Sequence, residues 1–151
     1  MLFGTDGIRG EVTTSPGDDE IAIANLLENR MISPRLLRVI GEALAKIVDY
    51  GSQVIIGWDE RPANPDLVAA LTVGLHLGGC KVIHGGVCAT PGLHNALLET
   101  GSTLGCMITA SHNPVLDSGI KVFDSEGFKT NPEMENRISE LVIQLAAEER
   151  E

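Results

Sequence analysis

Apolar positions along the chain recur with two different spacings. Leu36, Ile40, Leu44 and Ile47 fall on one helical face, and Met134, Ile138, Leu141 and Leu145 share another. The stretch after Pro65 brings Val68, Leu71 and Leu75 together and stops at Gly78-Gly79, while the one after Pro91 stops at Gly101. Each of these four stretches begins with a capping residue followed by proline: Ser33-Pro34, Asn64-Pro65, Thr90-Pro91 and Asn131-Pro132. A cap side chain accepts from a free backbone N–H, and proline at the first helical position gives up no hydrogen bond. Four capped helices are therefore predicted, with a further short one over Asp19 to Asn29.

Between the helices lie compact apolar runs: Val54-Ile55-Ile56, Lys81-Val82-Ile83, Cys106-Met107-Ile108 and Ile120-Lys121-Val122-Phe123. Alternating strands and helices predict an α/β fold, a three-layer αβα sandwich whose mostly parallel sheet is covered on both faces. The last run follows the third too closely for a crossover helix. Its pairing is expected to be antiparallel, so the sheet is mixed. The chain holds no internal repeat, low-complexity tract or linker, and 1–151 reads as one domain. The C-terminal "AAEERE" reads as a fraying polar helix end.

Such a sheet gathers binding residues at the carboxyl ends of its strands. Four stretches should then converge: "FGTDGIRG" (3–10), "GWDERPAN" (57–64), "GGVCATPG" (85–92) and "TASHNP" (109–114). The first is either a flexible turn or a ligand loop, in which glycine admits close approach and Arg9 offers a planar fork to phosphate. It is neither GxGxxG nor a Walker A loop, since no GK[ST] follows. Around Ser111 the plain reading is a polar turn that closes a strand. A hydrolase would need a GxSxG elbow, which is absent. Nothing in the sequence identifies a third group to orient His112 as a base for Ser111. A serine without a general base can still carry a phosphoryl group, whose transfer depends on positioning and charge neutralisation. Arg9, His112 and Lys121 are the cations available for that.

Composition narrows the partners. A length of 151 residues suits one well-buried domain and is short for two. Apolar residues make up 43% and aromatics only 3%, so the core must be aliphatic. The net charge of −10 argues against nucleic acid or an anionic membrane as partner. Any phosphorylated ligand must be held by a local cluster of donors against the overall field. No apolar run approaches the ~20 residues of a membrane span. The first residues lack the basic-then-apolar pattern of a signal peptide. Three cysteines, Cys80, Cys88 and Cys106, form no CxxC pair, which fits buried thiols in a reducing cytoplasm.

Taken together, "FGTDGIRG", "GWDERP", "ATPG", "TASHNP" and "SGIKVF", in this order, resemble the first domain of the α-D-phosphohexomutases. The likeness covers nearly the whole chain, and the opening "LFGTDGIRG" is most similar to the phosphoglucosamine mutase branch. The resemblance implies that Ser111 is the phosphoserine that donates and recovers the transferred group. It implies that His112 is an active-site cation or proton-transfer partner. Lys121 would neutralise the phosphoserine, and Arg9 would stand near the same phosphate. It further implies a Mg²⁺ ion on the phosphoserine oxygen and on an aspartate-rich loop of a second domain. The implied reaction passes phosphate from serine to a hexose or hexosamine phosphate, giving a bisphosphate that returns its other phosphate.

The chain matches only the first of the family's four domains. No DGDxDR-like metal loop or later substrate-gripping loop follows, so the remaining mutase domains are expected partners. Between Val12 and Leu36 the sequence is longer than the family pattern, and Pro62 stands where a small hydroxyl residue is expected. Two further readings stay open: domain I of a phosphomannomutase or phosphoglucomutase, and a stand-alone sugar-phosphate binding or regulatory module without turnover.

Overall fold

Side-chain caps set the starts of several helices. The computed structural model describes residues 2–4, 7–13, 18–110 and 113–148. Helix α1 (Asp19–Asn29) is capped by Asp18, which accepts the Ile21 N–H at 2.9 Å. Helix α2 (Pro34–Lys46) is capped by the Ser33 hydroxyl, which accepts the Leu36 N–H at 3.1 Å. Ahead of α5 (Pro132–Glu148), the Asn131 side chain accepts the Met134 N–H at 2.8 Å. The other two expected caps are corrected. Helix α3 (Asn64–Leu77) has Ala63 as its N-cap and α4 (Thr90–Thr100) has Ala89, neither with a side-chain cap bond. Asn64 is the first residue inside α3, and its amide is committed elsewhere, as described below. As expected, α3 stops at Gly78-Gly79, and α4 stops at Gly101 in the left-handed conformation.

The strands are β1 (Ile8–Val12), β2 (Met31–Ile32), β3 (Gln53–Trp58), β4 (Lys81–Val87), β5 (Leu104–Ile108) and β6 (Asp117–Phe123). They form one mixed sheet in the order β2-β1-β6-β5-β3-β4. β3 pairs in parallel with β4 and β5, and β1 in parallel with β2. β6 runs antiparallel to both its neighbours, β5 and β1. The expected α/β fold and antiparallel last strand are therefore present.

β1 and β2 were not expected. "IRGEV" places glycine and two charges within five residues, which is a poor local signal for a strand. Its strand conformation comes from its neighbours. Gly10 lies so close to the chain at Arg30 that a Cβ there would stand 1.8 Å from the Arg30 carbonyl oxygen. Arg9 accordingly stands in a strand and not on a flexible turn.

Helices α1, α2, α3 and α5 bury one sheet face in the larger core, with Leu36, Ile40, Leu71, Leu75, Ile138 and Val142 inside. Helix α4 covers the other face through Leu93 and Leu97 against Ile55 and Met107. Asp19 is buried and accepts from Arg35 and Arg38, which ties α1 to α2. Among the described residues no helix is long and apolar enough to cross a membrane.

Helices α2 and α3 meet at two glycines, where side chains give way to backbone. A Cβ on Gly74 would lie 2.1 Å from the Arg38 carbonyl oxygen, and one on Gly41 would lie 2.6 Å from that of Leu71. Alanine favours a helix over glycine by about 1 kcal/mol, but overpacking a rigid contact costs about 1–3 kcal/mol. The obstacle here is backbone, so the clash outweighs the propensity gain. Gly74→Ala should lower Tm by ~2–8 °C, measured by thermal unfolding of the purified protein. An unchanged or raised Tm would mean that the two helices separate freely.

Candidate active site

Strand β5 ends at Ile108, β6 begins at Asp117, and the short segment between them carries Ser111 and His112. Those two candidate residues lie outside the described residues. Their described neighbours are held tightly. Ala110 is fully buried, and its carbonyl accepts the Asn113 N–H at 2.9 Å. Thr109 is buried and donates its N–H to the Gly119 carbonyl at 3.0 Å. The Asn113 side chain donates to the Asp117 carboxylate at 3.2 Å, and the Asp117 N–H donates to the Pro114 carbonyl at 2.9 Å.

Register fixes where the two described cations stand. Arg9 in β1 is opposite Gly119 in β6, and Lys121 in β6 is opposite Met107 in β5. Gly119 and Lys121 are two residues apart on one strand, so Arg9, Lys121 and Met107 all address the sheet face that α4 covers. Thr109 bonds to the same Gly119, so the row across the sheet runs Arg9, Gly119, Thr109, with no side chain at its centre. The structure thus brings Arg9 and Lys121, distant in sequence, together on one face of the sheet, toward the end where β5 stops at Ile108. Lys121 is half-buried and lines a cavity of about 120 Å³ with Phe3, Gly7, Thr90 and Lys129. It forms no ion pair with another described residue.

Three further residues define the site, and the sequence alone did not single them out. Asp59 follows β3 and carries its carboxylate to the same place. Its Oδ2 accepts the Thr109 hydroxyl at 2.6 Å and Arg61 Nε at 3.2 Å. Its Oδ1 accepts Asn64 Nδ2 at 2.6 Å. Arg61 is nine-tenths buried, and its guanidinium also reaches the carbonyls of Asn113, Pro114 and Asp117.

Asn64 is fully buried and joins three strand ends. Its amide donates to the carbonyls of Asp59 and Ile108, and its oxygen accepts the buried Ser118 hydroxyl. The sequence signal was present in "GWDERPAN", which pairs an acid, an arginine and an amide after an apolar strand. Read locally, Asn64-Pro65 is a helix cap. Only the neighbouring strands turn Asn64 into a bridge.

The cysteines stand apart from this chemistry. Cys80 and Cys106 are buried, as expected, while Cys88 is partly exposed. Burial raises the Cys80 thiol pKa, and burial together with nearby Cys80 pushes Cys106 up to about 12. Cys106 therefore stays a neutral thiol at physiological pH and is no nucleophile.

The fold and the site define a class. The family model for phosphoglucomutase/phosphomannomutase, α/β/α domain I, matches residues 1–149. The chain is 38% identical over 136 residues to phosphoglucosamine mutase of Parasynechococcus marenigrum (strain WH8102), covering 90% of this chain and 26% of that protein. It is 35% identical over 147 residues to phosphoglucosamine mutase of Staphylococcus aureus (strain JH9), covering 94% of this chain and 29% of that one. In structure it superposes on a Thermus thermophilus protein provisionally assigned as a phosphomannomutase. The TM-score is 0.74 at 29% identity, over 93% of this chain and 29% of the other. The chain belongs to the phosphoglucomutase/phosphomannomutase family, a family of phosphohexomutases, and corresponds to its first domain. It spans between a quarter and a third of the length of these relatives.

The buried amide yields a discriminating test. Replacing Asn64 by alanine strands the buried Ser118 hydroxyl and takes a donor from Asp59 Oδ1, which should cost roughly 1–3 kcal/mol. Asn64→Asp keeps the shape but swaps the donors for acceptors that face the Asp59 carboxylate. Denaturant unfolding should rank wild type above Asn64→Ala, and Asn64→Asp lowest. An aspartate variant as stable as wild type would contradict the donor role of Asn64.

Proposed function

We propose that this chain is the phosphoserine-bearing domain of a phosphohexomutase that interconverts the 6-phosphate and 1-phosphate of a hexosamine. The observation that carries the reading is the convergence of Arg9 and Lys121 on one face of the sheet, beside the strand end that leads into Ser111. Relatives named phosphoglucosamine mutase support the hexosamine over other hexoses.

In the proposed reaction Ser111 holds a phosphoryl group on Oγ. A sugar hydroxyl oxygen bonds to phosphorus while the Oγ–P bond breaks, and the hydroxyl proton leaves to a nearby base. The serine oxygen is released as an alkoxide equivalent and is stabilised by local positive charge. The bisphosphate then turns over, and its other phosphoryl group returns to Oγ. Arg9 and Lys121 counter the charge of the phosphate against a chain of net charge −10. Charge on these oxygens is better compensated in a partly buried site than in bulk water. His112 serves as a further cation or proton-transfer partner in this reading.

The donor set also bears on Mg²⁺. Among the described residues no group of three or more His, Cys, Asp or Glu could hold a metal ion. The Asp59 carboxylate is already engaged by Arg61, Asn64 and Thr109. In this reading the Ser111 phosphate oxygen would be the chain's own ligand, with carboxylates from further domains completing the site. The bound ion would neutralise charge on the transferred group. The sugar phosphate and those further domains are the proposed partners.

In the enzyme that joins this domain to its remaining domains, Ser111→Ala should abolish mutase turnover without lowering Tm. Intact-mass analysis should at the same time find a phosphate on the wild type and none on the variant. Near wild-type turnover by Ser111→Ala would sink the mechanism. Lys121→Met should slow turnover by about 10²-fold or more while leaving stability almost unchanged. If that variant loses only stability, Lys121 is an ordinary strand residue with a solvated head.

A further inference from the structure

Arg61 has a place in this site that its charge alone does not explain. Its Nε donates to Asp59 Oδ2 at 3.2 Å. Nη1 donates to the Pro114 and Asp117 carbonyls at 2.7 and 2.9 Å, and Nη2 to the Asn113 carbonyl at 3.2 Å. One guanidinium thus engages three carbonyls of a single five-residue stretch, the stretch that follows Ser111 and His112. The acceptor on its other side, Asp59, also takes the hydroxyl of Thr109, two residues before Ser111. Both shoulders of the Ser111 segment are therefore fastened to one ion pair.

Stability is a poor reason for such a pair. Burying charge costs solvation, and replacing a buried ion pair by apolar groups is often neutral or stabilising. What the pair supplies is direction. A guanidinium is a rigid plane with five donors, and four of these bonds aim at oxygens fixed in space. Lysine has three donors on one flexible point and cannot span carbonyls and carboxylate together. The carbonyls of 113 and 114 precede β6 and that of Asp117 opens it, all outside the β5–β6 ladder, so pairing between those two strands does not hold them.

We infer that Arg61 is the positioning residue of this site. Through Asp59 and the carbonyls of residues 113–117, it fixes the loop that presents Ser111 for phosphoryl transfer. This rests on Ser111 being the phosphoryl carrier. Arg61 touches neither the sugar nor the phosphate in this scheme. It acts by holding the carrier loop in line, where a displacement of ~1 Å can cost about 10²-fold in rate.

The test uses Arg61→Lys and Arg61→Met in the enzyme that joins this domain to its remaining domains. Steady-state kinetics and amide hydrogen exchange are measured on both. In each, kcat should fall by about 10²-fold with little change in KM. The amides of Thr109, Asn113 and Asp117 should exchange about tenfold faster or more, while those of α2 and β3 keep their protection. Lysine retains the charge, so its failure to rescue would assign the effect to geometry. Unchanged exchange at the three amides would overturn the inference. So would a uniform rise that includes α2 and β3, full kcat in Arg61→Lys, or loss of the fold in both variants. Local loosening in Arg61→Lys upholds the clamp independently of Ser111, whereas the activity of Ser111→Ala bears on the carrier alone.

Discussion

The reversal of β6 within the sheet governs the rest of the molecule. β5 and β6 are joined by a segment too short for a helix, so β6 must return antiparallel beside β5. That return puts the start of β6 next to the carboxyl end of β5, and it lets β1 pair along the far side of β6. A crossover helix at the same point would have carried Lys121 away from the β5 terminus and left Arg9 without a neighbour. The connection length therefore decides that the two cations and the Ser111 segment share one end of the sheet.

Crowding polar groups at that end has a cost, which the network around Asn64 offsets. Asn64, Ser118 and Thr109 are all buried, and each is hydrogen-bonded. An unpaired buried amide or hydroxyl costs about 1–3 kcal/mol, whereas a paired one is close to neutral. A partly satisfied network would thus be worse than an apolar plug of the same shape. Its completeness ties β3, β5 and β6 into a common register and gives the loops a rigid base.

Electrostatics work at two scales here. The chain as a whole is acidic, which keeps polyanions off most of its surface. Arg9, Arg61 and Lys121 sit on strands or in the adjoining loop and bring positive charge to this part of the sheet. Of the three, Arg61 is spent on backbone carbonyls and on Asp59, while Lys121 lines a cavity and forms no ion pair with another described residue. Residues of the same formal charge therefore differ in use: Arg61 holds backbone, while Lys121 faces open space.

The sequence by itself determined the elements whose signals are local. Capping at Ser33 and Asn131, the apolar faces of α2 and α3, the glycine stops at 78–79 and 101, and the antiparallel turn into β6 all depend on residues a few positions apart. The motifs also placed the chain in its family and marked Arg9 and Lys121. Tertiary structure decided the rest. β1 is a strand only because β6 and the chain at Arg30 lie beside it, since "IRGEV" has no strong strand preference. Asn64 looks like a cap until Ile108 and Ser118, far along the chain, supply better partners for its amide. Arg61 likewise has nothing nearby in sequence, apart from Asp59, to explain it. Its acceptors are carbonyls more than fifty residues on. Carbonyls are present at every position, so no side-chain pattern could announce which ones a guanidinium would find.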